Sequence, residues 1–123
     1  MPAWIFVFFG GGLGSVARWS IARWLTPQEG SFPIGTFVAN ISACLILGLL
    51  MGYHIKYPMA QQHRLLLMMG FCGGFSTFST FSAEIMILLK SGNHLLSFTY
   101  AGASLVAGLI AIYVGIKILS GFE

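Results

Sequence analysis

The sequence predicts an all-α membrane protein of four transmembrane helices, and three observations predict it. Hydrophobic residues fill 57% of the 123 positions and charged residues only 7%, too little charge to cover a soluble globule. The apolar residues fall into four long runs, Trp4 to Leu25, Phe32 to Tyr53, Leu65 to Leu89 and Leu95 to Leu119, each meeting the roughly 20 residues that a spanning helix requires. The connections between runs are short, so residues 1–123 make one four-helix transmembrane domain whose neighbours run up and down as a bundle.

The first run is expected to stay in the mature protein and not to act as a secretory signal, because Met1-Pro2-Ala3 carries no basic residue and no small-residue cleavage site follows. Its Gly10-Gly11-Gly12-Leu13-Gly14 segment has neither a preceding strand nor a following acidic residue, which removes a nucleotide-loop reading. Arg18 lies several residues inside this run. A cation there either snorkels to the interface or faces the bundle, where it draws anions into a wet vestibule.

Asn40 is the one amide of the second run and lies near its middle. An unpaired carboxamide in lipid is costly, so Asn40 requires partners, either in an interhelical hydrogen bond or as an N–H donor aimed at an anion.

The third run departs most from a plain lipid-facing helix. Between Gly70 and Glu84 it carries the Gly73-Gly74 pair and the hydroxyls of Ser76, Thr77, Ser79, Thr80 and Ser82. Adjacent glycines invite a break, and the freed backbone groups must be satisfied by protein, water or an ion. The break is expected near the bilayer midplane, since the run is centred on Thr77. Phe75, Phe78 and Phe81 recur every three residues and place their rings along one flank among the hydroxyls. Alone, such a stripe is packing. With hydroxyls beside it, ring edges that are electropositive offer contact to a desolvated anion without the grip of lysine or arginine. Glu84 is the sole carboxylate within any run, and a paired or interfacial structural role is favoured over a proton-coupling acid.

On the fourth run Tyr100 and Ser104 stand one turn apart and extend a possible line of hydroxyl donors, or serve as ordinary interhelical glue. Pairs of small residues at four-residue spacing, Gly10 with Gly14, Gly48 with Gly52, Gly70 with Gly74, and Ala107, Ala111 and Gly115, allow helices to approach closely. Cys44 and Cys72 fall mid-span without paired spacing and read as buried reduced thiols. The histidines show no ligand spacing, Asp is absent and no catalytic triad or carboxylate pair assembles, so no enzyme is expected. The net charge of +3 is scattered and forms no basic stripe for nucleic acid.

Arg18, Arg23 and Lys90 belong to one side of the membrane and Lys56, Arg64 and Lys117 to the other. Orientation normally follows an excess of Lys and Arg on the cytoplasmic side, and three against three supplies none. Two outcomes remain, a single orientation set by the His54 to Arg64 loop, or both orientations made and paired as an antiparallel homodimer about an axis in the membrane plane.

Three segments, Gly11-Gly12-Leu13-Gly14-Ser15-Val16-Ala17-Arg18-Trp19, Gly35-Thr36-Phe37-Val38-Ala39-Asn40 and Gly73-Gly74-Phe75-Ser76-Thr77-Phe78-Ser79-Thr80-Phe81, resemble the signatures of the Fluc (CrcB) fluoride channels. The resemblance implies an antiparallel dual-topology homodimer with two pores. By position, Phe78 and Phe81 match the ring pair lining the fluoride path, Asn40 the pore amide, and Ser79 and Thr80 the hydroxyls between the rings. Tyr100 and Ser104 resemble a polar track on the fourth helix, and Arg18 the vestibule base. Gly73 and Ser76 match positions whose backbone carbonyls, from both subunits, hold a structural sodium ion (Na+). Ala43, Trp19 and Ser76 replace a frequent glycine, tyrosine and threonine, and Gly108 stands where some members carry a further track serine.

The expected function is therefore passive, selective export of fluoride through a channel in the bacterial inner membrane, with fluoride, a second copy and the lipid bilayer as partners. The rival reading is a small proton-coupled multidrug exporter, which needs a membrane-embedded carboxylate in its first helix. Here that helix offers Arg18 and Arg23 instead. A non-transporting accessory subunit is the remaining alternative.

Overall fold

A computed structural model describes residues 1–25 and 30–121. All regular structure among the described residues is helical: α1 (Ala3–Trp24), α2 (Ile34–Lys56), α3 (residues 61–75), α4 (Phe78–Lys90) and α5 (His94–Ser120). Four stretches, Ala3–Trp24, Ile34–Lys56, Gln61–Lys90 and His94–Ser120, are long and apolar enough to cross a membrane. The chain is a multi-pass membrane protein.

Local chemistry sets the ends of these helices. Pro33 precedes α2, which therefore begins two residues later than the hydropathy alone suggests. Its last turn carries Lys56, a cation that suits the negative end of the helix dipole. It stops at Tyr57, which precedes Pro58 and is extended at φ −130° and ψ 95° as that proline demands. The turn between α4 and α5 passes through Gly92 at φ +87°, a conformation that a side chain would strain.

The third stretch differs from the expected Leu65 to Leu89 in length and in detail. It opens at Gln61, adopts the wider π-helical coil over Arg64–Cys72, and returns to α geometry over Gly73–Phe75. Ser76 (φ −85°, ψ 157°) and Thr77 (φ −149°, ψ 122°) are extended, and α4 starts at Phe78. Gly73 and Gly74, the pair expected to interrupt the helix, are themselves helical. At Gly74 the missing side chain serves another purpose, whereas a Cβ at Gly73 would meet nothing within 4 Å. A Cβ at Gly74 would collide with the carbonyl of Gly11, and one at Gly10 or Gly14 would collide with the carbonyls of Leu66 or Phe71.

Two helix pairs are built on such backbone contact. α1 lies against α3 through Gly10, Gly14, Gly70 and Gly74, while α2 lies against α5 through Gly48, Gly52 and Gly115, where Ile112, Ile116 and Leu45 occupy the space of absent side chains. Close approach of this kind is how helices gain van der Waals energy in lipid, where burying leucine against leucine gains nothing over leucine against hydrocarbon. Ala39, Ala43 and Phe75 form a small central cluster with Ala17, Ile21, Ile46 and Phe71 packed around it. Large apolar side chains such as Trp4, Phe8, Phe9, Leu105, Leu109 and Ile110 point outward instead, as a lipid solvent allows.

Substituting Gly48→Leu or Gly74→Leu forces backbone apart from backbone. Each is expected to cost about 1–3 kcal/mol or more, read as a lower melting temperature in detergent. Gly12→Ala, where nothing lies within 4 Å of the added carbon, is expected to leave the melting temperature unchanged or slightly raised.

Candidate functional site

The extended pair Ser76-Thr77 leaves main-chain groups without helical partners, and one side chain of α2 meets them. Asn40 Oδ1 accepts from the Thr77 backbone N–H at 2.8 Å, and Asn40 Nδ2 donates to the Thr77 carbonyl at 3.3 Å. The carboxamide thus replaces both halves of a peptide partner. Its Nδ2 carries a second hydrogen beyond the one given to Thr77.

Thr77 also starts the next helix. Its Oγ1 accepts from the Thr80 backbone N–H at 3.2 Å, an N-cap, and lies 3.4 Å from Ser79 Oγ. On the other side of the joint, Ser76 Oγ donates to the Cys72 carbonyl at 2.9 Å, and Arg18 Nε donates to the Gly74 carbonyl at 3.2 Å. Arg18 therefore faces the bundle and ends α3 with a cation, the sign that a helix C-terminus prefers.

A cleft of about 510 Å³ opens beside this joint, walled by Asn40, Cys44, Ser76, Thr77, Phe78 and Phe81 with Ser104 and its neighbours on α5. Phe78 is 79% exposed and Phe81 lies 6.1 Å from it between ring centroids. Ser104 Oγ is buried with no hydrogen-bond partner. A hydroxyl in that state has donor capacity to spare, and leaving it unsatisfied costs about 1–3 kcal/mol. The cleft wall thus combines two phenyl rings, a carboxamide and a spare hydroxyl, and no charged side chain is among its lining residues.

The remaining sequence candidates lie close by with different partners. Ser79 and Thr80 are exposed on the first turn of α4 and are not part of that wall. Tyr100 is fully buried behind Phe81, the ring centroids 5.0 Å apart in an edge-on contact, and its hydroxyl donates to Glu84 Oε1 at 2.9 Å. Thr36 Oγ1 donates to the other carboxylate oxygen, Glu84 Oε2, at 2.9 Å. Glu84 is thus held by hydroxyls from α2 and α5, the paired structural carboxylate favoured from sequence, and the triad clamps α4 behind the Phe81 ring. Thr36 went unread in the sequence. Its signal was its place one turn before Asn40, on the same face of α2.

Gly73 and Ser76 line a second, smaller cleft with Cys44 and Cys72. The donor that would normally reach the Gly73 carbonyl is the Thr77 N–H, and Asn40 has taken it. The donor due to the Ser76 carbonyl, the Thr80 N–H, is taken by Thr77 Oγ1. Carbonyl oxygens freed at an unwound helix end are the ligands that sodium prefers, so the residues present suit that ion.

Known proteins place the chain among relatives. A family profile described as "CrcB-like protein, Camphor Resistance (CrcB)" matches residues 5–116. A protein of Gloeothece citriformis is 43% identical over 119 residues, covering 94% of each chain. One from Phocaeicola vulgatus is 40% identical over 117 residues, covering 94% of this chain and 97% of its own. One from Ignicoccus hospitalis is 38% identical over 115 residues, covering 94% and 93%. All three carry the name fluoride-specific ion channel FluC. With a profile spanning nearly its whole length and relatives aligned end to end, the chain belongs to the CrcB-like family.

Proposed function

We propose that this protein is a passive, fluoride-selective channel that exports cytoplasmic fluoride across the bacterial inner membrane and so confers fluoride resistance. One observation carries the proposal beyond the relatives' names: the larger cleft gathers, from α2, α4 and α5, a carboxamide, two phenyl rings and an unsatisfied hydroxyl in an uncharged wall. Fluoride is small and strongly hydrated, and it gives up its water only to donors placed where the water stood. Asn40 and Ser104 supply donors, with Ser79 and Thr80 continuing them along the first turn of α4. Phe78 and Phe81 turn weakly positive edges to the ion, which passes because nothing on the wall holds it as an ammonium or guanidinium would. Tyr100 acts through Phe81 and Glu84, and its hydroxyl reaches the ion only if it leaves the carboxylate. Arg18 stands at the vestibule end of the path.

The functional unit in this reading is an antiparallel dual-topology homodimer. The balance of Arg18, Arg23 and Lys90 against Lys56, Arg64 and Lys117 supports it. The third span, α3 with α4, is then broken near the bilayer midplane. The carbonyls of Gly73 and Ser76 from both copies would hold a structural sodium ion, which would supply a fixed positive charge between the subunits and no reaction step. A proton-coupled exporter is not favoured, since both oxygens of Glu84 are held by hydroxyls and α1 offers no carboxylate.

In liposomes loaded with fluoride or chloride, fluoride efflux is expected without any proton gradient, with chloride efflux at background, as followed by ion-selective electrodes. Chloride passing as readily as fluoride would overturn the reading. Phe78→Ile with Phe81→Ile is expected to abolish fluoride efflux while protein yield and size-exclusion profile hold. Ser104→Ala removes one donor of about 1 kcal/mol and is expected to slow efflux roughly fivefold. For orientation, a cysteine placed at Lys90 is expected to label from outside intact cells in about half of the copies, and labelling of all or none would exclude the antiparallel pair.

A further inference from the structure

We propose that the smaller cleft is a binding site for a soft monovalent metal ion, copper(I) or silver(I), held by the sulfur atoms of Cys44, Cys72, Met68 and Met69. These four side chains, from α2 and α3, line one space of about 180 Å³. The chain has only two cysteines and six methionines, so half of its sulfur-bearing residues line this one cleft. The two thiols lie on consecutive helices, 28 positions apart with one loop between, and the fold brings both residues to the same wall.

The chemistry of the wall selects the ion. Thiol and thioether ligands favour soft ions, whereas zinc or iron would need imidazole or carboxylate support. Among the described residues no group of three or more His, Cys, Asp or Glu converges on such a centre. Apolar neighbours add a charge argument: a monovalent ion bound to one thiolate is neutral, while a divalent ion there stays charged in a poor dielectric. In the binding step one S–H bond breaks, one metal–sulfur bond forms, the proton leaves to solvent, and no electron is transferred.

Geometry leaves the ligands room to adjust. Gly108 has no side chain where Cys44 lies, and a Cβ there would sit 3.4 Å from Cys44 Sγ. Cys72 is buried, whereas Met69 is 63% exposed and reaches in from the rim with three rotatable bonds. The site is separate in kind from the carbonyls of Gly73 and Ser76, which are hard oxygen ligands. Gly73 and Ser76 line the same cleft and Cys44 lines both clefts, so the sulfur site adjoins the other two and is told from them by the atoms in its first shell.

The test is an anaerobic titration of copper(I) into the purified full-length chain in detergent, in competition with a chromogenic copper(I) chelator. One copper per chain, one proton released per copper and a sulfur-only first shell by X-ray absorption are expected. Cys44→Ser and Cys72→Ser should each weaken binding beyond the 10- to 100-fold that loss of an outer partner causes. Should a cysteine variant fail to fold, as judged by size exclusion, the pair Met68→Leu with Met69→Leu keeps the test open, with a smaller loss and an altered X-ray absorption spectrum expected. All copper staying with the chelator, full binding after both cysteines are replaced, a nitrogen or oxygen shell, or displacement by excess sodium would each overturn the proposal.

Discussion

The structure depends on satisfying the main chain of Ser76 and Thr77 in surroundings that offer little water. Asn40 does this with one planar group, accepting from the Thr77 N–H and donating to the Thr77 carbonyl. Once the joint is pinned to α2, the rest follows in sequence. Thr77 Oγ1 caps α4, Arg18 closes the end of α3, and α4 emerges with Phe78 and Phe81 turned to the cleft. The same bond that pins the joint also diverts the donor of the Gly73 carbonyl. One carboxamide therefore organises both clefts.

The second organising element is the carboxylate of Glu84, taken by Thr36 from one side and Tyr100 from the other. A carboxylate inside a membrane helix is expensive unless its oxygens are engaged. Here the engagement ties α2, α4 and α5 together directly behind Phe81, whose ring meets Tyr100 edge-on. The ring that faces the cleft is positioned by a polar cluster that does not itself line the cleft.

Much of this was legible in the sequence because the governing physics is local. Four apolar runs separated by short polar connections require four spans, and an amide in the middle of one requires a partner. The partner itself was not legible. Thr77 is 37 positions from Asn40, and nothing in either segment encodes the other. Gly73 and Gly74 show the limit most clearly, since two glycines are equally consistent with a break and with close helix contact. The structure uses Gly74 for contact with Gly11 and leaves the extended conformation to the next two residues after Phe75. Tyr100 and Ser104 share a helix face by spacing, yet one is buried on Glu84 and the other stands at the cleft with its hydroxyl unspent. Cys44 and Cys72 look unrelated in sequence and share a wall in space.

The glycine seams between helices also bear on biogenesis. α1 finds its groove on α3, whereas the bare backbone of Gly48 and Gly52 on α2 is covered only by Ile112 and Ile116 of α5. Until α5 is inserted, α2 presents a main-chain stripe that any passing helix of small residues can engage, so a membrane insertion factor that shields α2 until α5 arrives favours correct assembly.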